Sequence, residues 1–127
     1  MNVIEQEFGV SPQALSIRSQ RFELISANLA NADTPGYKAR DIEFSDALAR
    51  EMEQPASHST THPLHIDIGS AGQEVMYRLP FQASLDGNSV ETQQEHAAFM
   101  DNAIRYQASL NFLDGRIKTL MLALRGE

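Results

Sequence analysis

Apolar positions near the C-terminus of the chain repeat with the spacing of a long amphipathic helix. Steps of four and three residues alternate without a break over more than three heptads. The seam residues are Phe99, Ala103, Tyr106, Leu110, Leu113, Ile117, Leu120 and Leu124. A seam of this length is typical of coiled-coil packing, because the average globular helix has only about 11–12 residues. The pattern predicts a C-terminal helix over residues 89–125, with Asn88 or Ser89 as its N-cap.

A second helical stripe lies near the N-terminus. It consists of Leu15, Phe22, Ile25 and Leu29. Ser11 followed by Pro12 suits the first turn of a helix, and the pattern predicts a helix over residues 11–33. Arg18 places a charge within this stripe. Both predicted helices also carry a second apolar line, which indicates more than one packing neighbour for each.

Residues 34–88 form the predicted middle segment between these helices. Pro35 disfavours helical backbone at Thr34, and Pro35-Gly36 suits the centre of a type II turn. A short helix over residues 41–54, a polar loop over 55–72 and a short edge strand over 73–81 are predicted to follow.

The predicted fold is a single, elongated and mainly α subunit, as the length of 127 residues allows. Its N- and C-terminal helices are expected to pair as an axial coiled coil beside the small middle segment. In this pairing we expect the N-terminal stripe to meet the part of the C-terminal seam formed by Tyr106, Leu110, Leu113, Ile117 and Leu120.

Composition excludes several classes of function. The net charge is −7, from 17 acidic and 10 basic residues, and the basic residues are scattered, so neither nucleic acid nor an anionic membrane is an expected partner. The absence of cysteine excludes disulfides, thiolate catalysis and Cys-ligated metals. No apolar run approaches the roughly 20 residues of a membrane span. No cleavable signal peptide is visible, which predicts either a cytosolic protein or export by another route.

His58, His62 and His65 are the strongest candidates for a metal site. Pro55 and Pro63 rule out a regular helix that would place them on one face, so a solvated loop is the favoured interpretation. Catalytic and nucleotide-binding motifs such as G-x-S-x-G and G-x-G-x-x-G do not occur. We therefore predict no enzyme activity, no cofactor and no metal. A small metal-dependent enzyme that uses these histidines remains the alternative.

The segment that follows the N-terminal stripe carries a family resemblance. Residues 27–37 read Ala-Asn-Leu-Ala-Asn-Ala-Asp-Thr-Pro-Gly-Tyr. This run resembles the signature A-N-x-A-N-x-x-T-P-G-Y of flagellar rod, hook and hook-associated axial proteins. The positions that match are Asn28, Asn31, Thr34, Pro35, Gly36 and Tyr37, with the alanines between them. Four further segments resemble the proximal-rod subunits of that family: residues 39–44, 77–80, 84–90 and 101–107.

This resemblance implies a structural subunit of the flagellar basal body, which links the membrane ring to the distal rod and hook and transmits torque. Subunits of this kind are exported unfolded by the flagellar type III export apparatus and assemble in the periplasm into a helical rod. The implied partners are other rod subunits and the adaptor protein between rod and membrane ring. A cytosolic helical adaptor or export chaperone is the alternative function. Since the middle segment is too small to cover both helices, we also hypothesise that the termini become ordered only on assembly.

Overall fold

The computed structural model describes residues 11–53 and 74–126. Within these ranges the chain forms α1 (Ser11–Ala30), β1 (Arg40–Asp41), α2 (Phe44–Glu53), β2 (Met76–Tyr77) and α3 (Thr92–Arg125). The two long helices, α1 and α3, pack against each other, and the short helix and the strands lie between them in the chain. The predicted fold class is therefore confirmed. The first ten residues and the whole of the predicted loop over 55–72, including its histidines, lie outside the described residues.

The helices α1 and α3 run antiparallel. Near the end of α1, Asn28 Nδ2 donates to Glu95 Oε2 at the start of α3, at 3.2 Å. Nearer the start of α1, the Arg18 carbonyl accepts from Asn102 Nδ2 at 2.9 Å, further along α3. Between these contacts, Phe22 packs edge-on against aromatic rings of α3. Residue numbers thus rise along one helix as they fall along the other.

The register of this pair agrees with the predicted one where Phe22 contacts Tyr106 and differs elsewhere. With 34 residues, α3 is about 51 Å long, whereas α1 has 20 residues and is about 30 Å long. Since Arg18 lies opposite Asn102, α3 extends past Ser11 from about Leu110 onwards. Ile25 and Leu29 accordingly lie opposite the first turns of α3, not opposite Leu113 or Leu120. A heptad pattern identifies the packing face of a helix, but here the polar contacts between the helices determine which turns meet.

The small apolar core lies where α2 packs on α1. Its buried members are Ile17, Ile42 and Ala47, with the partly buried Leu24, Phe44 and Leu48 packed against them. The helix α2 begins at Phe44, not at residue 41 as predicted, because Asp41 belongs to β1. There it pairs antiparallel with Met76 of β2. Among the residues from 74 onwards that are described in the predicted strand over 73–81, only Met76–Tyr77 has sheet geometry.

The ends of the long helices also differ from prediction. The helix α1 ends at Ala30 rather than residue 33, since Asn31 N bonds to Asn28 O (3.1 Å) as well as to Ala27 O, which tightens the last turn. The helix α3 begins at Thr92 with Glu91 as its N-cap, in extended backbone conformation and without a side-chain cap. The side chains of the predicted caps, Asn88 and Ser89, are engaged elsewhere. None of the helices in the described ranges has the length and apolar composition that crossing a membrane requires.

Candidate assembly interface

The turn after α1 has the geometry that its sequence predicts. Tyr37 N donates to Thr34 O at 3.3 Å, and Gly36 has φ +72°. A type II turn requires positive φ at its third residue, which glycine adopts without steric cost. Pro35 provides the fixed φ of the second residue. This turn reverses the chain, so that residues 37–41 run back beside α1.

Asn28 joins three parts of the chain through one buried amide. Its Nδ2 donates to the Arg40 carbonyl at 2.8 Å and to Glu95 Oε2 at 3.2 Å. Its Oδ1 accepts from Arg40 N at 3.0 Å, and the Tyr37 hydroxyl lies 3.5 Å away. A carboxylate has no donor and an alkyl side chain has neither donor nor acceptor, so neither Asp nor Leu can replace these contacts. Asn28 thereby fixes the end of α1 to β1 and to α3.

Asn31, the second asparagine of the motif, acts more locally. Its Nδ2 donates to the Ala27 carbonyl at 2.8 Å, and its Oδ1 accepts from the Thr34 hydroxyl at 3.1 Å. These bonds satisfy a carbonyl in the last turn of α1 and hold the first residue of the type II turn. The motif thus specifies how the helix ends.

The segment before α3 docks onto this turn. Asn88 Nδ2 lies within hydrogen-bonding distance of three carbonyls at the end of α1: Asn31 O at 3.0 Å, Ala32 O at 2.8 Å and Thr34 O at 3.0 Å. Asn88 is buried, and it closes the C-terminus of α1 instead of capping α3. The sequence assigns Asn88 to the wrong helix, because an amide before a helix is the usual signal for an N-cap of that helix.

Backbone contacts reinforce this docking. Gly36 N donates to Asp86 O at 2.9 Å, and Ser89 N donates to Tyr37 O at 2.9 Å. Ser89 Oγ also accepts from Ala39 N at 2.8 Å. Ser84 Oγ and Asn88 N hydrogen-bond to the Asp86 carboxylate, and these bonds lower the pKa of Asp86. The two segments that carry the family resemblance, residues 27–37 and 84–90, therefore form a single structural unit.

Charged side chains extend this unit across the sheet. Arg21 holds Asp41 with two bonds, Nε to Oδ1 at 2.8 Å and Nη2 to Oδ2 at 3.0 Å. Arg78 contacts both Asp41 and Glu95. Glu95 is fully buried and also accepts from Asn28. The chain of contacts thus joins α1, both strands and α3. We call the side chains Asn28, Asp41, Arg78, Asn88 and Glu95 the junction.

Burial and the neighbouring Arg21 and Arg78 alter the pKa of Asp41 in the junction. Burial alone raises the pKa of this carboxyl group. The hydrogen bond and charge of Arg21, the backbone N–H of Ile42 and a hydrogen bond from Arg78 together outweigh burial and lower the pKa of Asp41 below its usual value. Asp41 is therefore held as a carboxylate. Sequence analysis missed this network, because its members lie far apart in the chain and single charges carry no periodicity.

The predicted seam residues divide between covered and exposed positions. Ile25 is buried, and most of the others, from Leu15 to Leu120, are half-buried. The structure brings Phe22 together with Phe99 and Tyr106, with ring centroids 5.0 and 5.7 Å apart. Leu124, the last seam residue, is 80% exposed.

The second apolar line of α3 is exposed in the subunit. It consists of Met100, Ile104, Phe112 and Met121, each of which leaves a large share of its side chain in solvent. These residues do not share one narrow stripe, since Phe112 and Met121, nine residues apart, lie on opposite sides of a helix. Exposed apolar side chains on more than one side of α3 indicate interaction surfaces for more than one neighbour. Their chemistry suits the packing of other helices.

Metal chemistry receives no support from the part of the chain that the structure describes. There, no three His, Cys, Asp or Glu side chains come together as a metal site requires. The predicted candidates His58, His62 and His65 lie outside these residues.

Comparison with known proteins identifies the family to which this chain belongs. Residues 10–38, which contain the Asn28 to Tyr37 motif, match the family model described as "Flagella basal body rod protein". A flagellar basal body rod protein FlgB of Aeromonas hydrophila is 45% identical over 126 residues, covering 97% of this chain and 96% of the relative. The FlgB protein of Cereibacter sphaeroides is 44% identical over the full length of both chains, and that of Escherichia coli (strain K12) is 42% identical over 89% of this chain and 88% of the relative. The chain belongs to the FlgB family of flagellar basal body rod proteins, which are structural components and not enzymes.

Proposed function

We propose that this chain forms the proximal part of the flagellar rod, where it connects the membrane ring to the distal rod and hook and transmits torque. Its neighbours in this proposal are further copies of the chain, other rod subunits and the adaptor protein between rod and ring. The observation that carries the proposal is that apolar side chains on several sides of α3 stay exposed when α1 and α3 have paired, namely Met100, Ile104, Phe112 and Met121.

A helical assembly uses such a surface in a specific way. When one patch of a subunit binds a different patch of the next copy, repetition of the contact produces an open helical filament unless the rotation closes a ring. Met100, Ile104 and Phe112 of α3 do not belong to the small core around Ile17 and remain largely exposed. Packing them against neighbouring helices would bury apolar area at about 25 cal/mol per Å². Assembly would therefore add apolar burial that the small core of the isolated subunit does not provide.

Torque transmission requires that each subunit resist deformation. The junction supports this role, because buried and fully bonded polar networks hold one geometry. Arg78 bridges Asp41 and Glu95, and Asn28 bonds to Glu95, so that a load on α3 reaches α1 through charge-assisted bonds as well as through apolar packing.

The proposal places the assembled chain in the periplasm, after passage through the flagellar type III export apparatus. The cysteine-free composition suits an oxidising compartment, because no thiol is present to form incorrect disulfides. Export through a narrow channel in the unfolded state also suits a chain whose apolar core is small.

Mass spectrometry of detergent-purified hook–basal bodies from the source organism tests the proposal. We expect this chain in the preparation at levels comparable with other rod subunits, and its loss from the preparation when the gene is deleted. A soluble cytosolic pool, with none of the chain in hook–basal bodies, would overturn the proposal and favour an adaptor instead.

A further inference from the structure

A charged cleft lies beside the α1–α3 pair, on the side where α2 begins. Its volume is about 320 Å³, far above the roughly 10–15 Å³ that a single water requires. The side chains that define its chemistry are Arg18, Arg21, Arg105, Glu43, Phe44 and Asp101. Three guanidinium groups thus face two carboxylates across a space that admits another side chain.

Most of these charges are already paired within the subunit. Arg21 is bound to Asp41 at 2.8 Å, and Arg105 is bound to Asp101 at 3.0 Å in an exposed pair. The Glu43 carboxylate accepts from the Ser45 hydroxyl at 3.2 Å. Because a hydroxyl does not neutralise a carboxylate, one guanidinium, that of Arg18, and one carboxylate, that of Glu43, remain outside the ion pairs of the described residues.

Arg18 is an unusual residue for the inside of a helix pair. It is 8% exposed, and its guanidinium lies over the Phe44 ring with Cζ 4.0 Å from the centroid. Its Nε has no hydrogen-bond partner, and no carboxylate of the described residues forms an ion pair with it. Burial lowers the pKa of Arg18, and repulsion by Arg105 and Arg21 lowers it further, while Asp101 offsets part of this.

Arginine cannot relieve this situation by losing its proton. A buried charge without a counter-charge is costly, and a hydrogen-bonded carboxylate placed against it recovers much of that cost. Phe44 covers one face of the guanidinium and Nε is itself buried, so the terminal nitrogens are the donors left for an incoming group. The cleft thus holds a guanidinium with which no carboxylate of the described residues forms an ion pair, although Glu43 lines the same space.

We infer that the cleft receives the carboxylate of an Asp or Glu side chain from a second copy of this chain in the assembled rod. The inference rests on the proposed function, since only the rod brings copies into a repeated contact. A chain with 17 acidic residues and 10 basic ones presents more carboxylates than it can pair internally. In a repeated contact each copy offers the same acidic surface to the cleft of the next, so that every Arg18 gains a partner.

Two arginine variants separate this role from a purely structural one. Arg18→Met keeps a long apolar side chain over Phe44 but removes the charge. Arg50→Met serves as the control, because Arg50 is an exposed arginine outside the cleft that pairs with Glu74. We expect the urea unfolding midpoint of the isolated Arg18→Met subunit to equal or exceed that of wild type, because a buried charge without an ion-pair partner is gone. Incorporation of this variant into hook–basal bodies should fall at least tenfold, whereas Arg50→Met should retain it. A parallel loss of stability and incorporation in Arg18→Met would overturn the inference, as would normal incorporation.

A photo-crosslinking amino acid in place of Ser45, at the rim of the cleft, identifies the occupant. We expect irradiation of cells to give a crosslink between two copies of the chain, mapped by mass spectrometry to a peptide that contains Asp or Glu. A crosslink to a different protein, or one within a single copy, would overturn the inference. If wild-type chain is absent from hook–basal bodies, the proposed function fails; if wild type is present and only these outcomes fail, the inference alone is wrong.

Discussion

The two halves of α3 are held by different kinds of contact. In the first half, Glu95 and Asn102 are fully buried and hydrogen-bonded to α1. In the second half, residues 110–125, Phe112 and Leu124 leave most of their side chains exposed. Polar groups inside a protein require one partner in one geometry, whereas exposed apolar groups accept any complementary surface. The first half therefore specifies the subunit while it also exposes Met100 and Ile104, and the second half is available mainly to the assembly.

Loss of Arg78 should have the largest effect on the isolated subunit. Arg78→Met removes the counter-charge of the fully buried Glu95 and one of the two arginines on Asp41. Breaking a buried ion pair from one side costs about 3–5 kcal/mol, because the remaining charge stays buried. We expect a decrease of this size in the free energy of unfolding, measured by urea denaturation.

The matched control for this prediction is Arg105→Met. Arg105 pairs with Asp101 on the exposed face of α3, where such pairs contribute about 0–1 kcal/mol. Equal destabilisation by the two variants would contradict the view that the junction determines the stability of the subunit.

Asn88→Ala should have the next largest effect. The variant removes a buried amide and leaves the carbonyls of Asn31, Ala32 and Thr34 without their shared donor at the partly buried end of α1. Unsatisfied buried polar groups cost about 1–3 kcal/mol, and we expect thermal or urea unfolding to show a loss in this range. Asn111→Ala, on the exposed second half of α3, should change stability by less than about 0.5 kcal/mol. A harmless Asn88→Ala substitution would show that the contact between the two motif segments is incidental.

Acid should weaken the junction through Asp41. Because its pKa in the folded subunit lies below its usual value, Asp41 binds a proton less readily when folded than when unfolded. The stability that it contributes is present above the ordinary Asp pKa of about 3.9 and is lost as the pH falls through the lowered folded value. The difference in unfolding free energy between wild type and Asp41→Asn should therefore shrink as the pH is lowered from 7 towards 2.

A control on the second half of α3 sharpens this test. Asp114 forms an exposed pair with Lys118, and Asp114→Asn should remain close to wild type throughout the same pH range. If the Asp41→Asn difference did not vary with pH, the pairing of Asp41 with Arg21 and Arg78 would not contribute to folding.

The contrast between these regions also explains what the sequence can predict. Regular spacing finds α1 and α3, since apolar side chains on one helix face repeat every three or four residues. Pro35-Gly36 similarly predicts its turn, because the backbone preferences of both residues are local. Both kinds of signal depend only on neighbours in the chain, which is why the fold class follows from sequence.

The junction depends on contacts that no local signal encodes. Asp41 meets Arg78 across a strand pair of two residues each, too short to give an alternating pattern. Asn88 looks like a cap for α3 and closes α1 instead. Arg18 appears in sequence as a flaw in an apolar stripe, and only the structure shows that its buried guanidinium faces a cleft. The register of α1 and α3 follows from such contacts and was missed in part with them.

Leu113→Glu should have the smallest effect on the subunit and a large effect on the assembly. Leu113 is half-buried on the second half of α3, past the start of α1, so the substitution should lower the free energy of unfolding by only about 1 kcal/mol. In the rod, a carboxylate at this seam position would be buried against apolar neighbours without a counter-charge, which the assembly cannot tolerate. We expect far-UV circular dichroism and urea unfolding near wild type, together with loss of rod assembly and of swimming in soft agar. Asn111→Glu, which adds the same charge at an exposed position nearby, should preserve swimming. Normal swimming by the Leu113→Glu strain would mean that the seam is not an assembly contact. A large loss of unfolding free energy in the Leu113→Glu subunit would mean that the second half of α3 belongs to the folded core as much as the first.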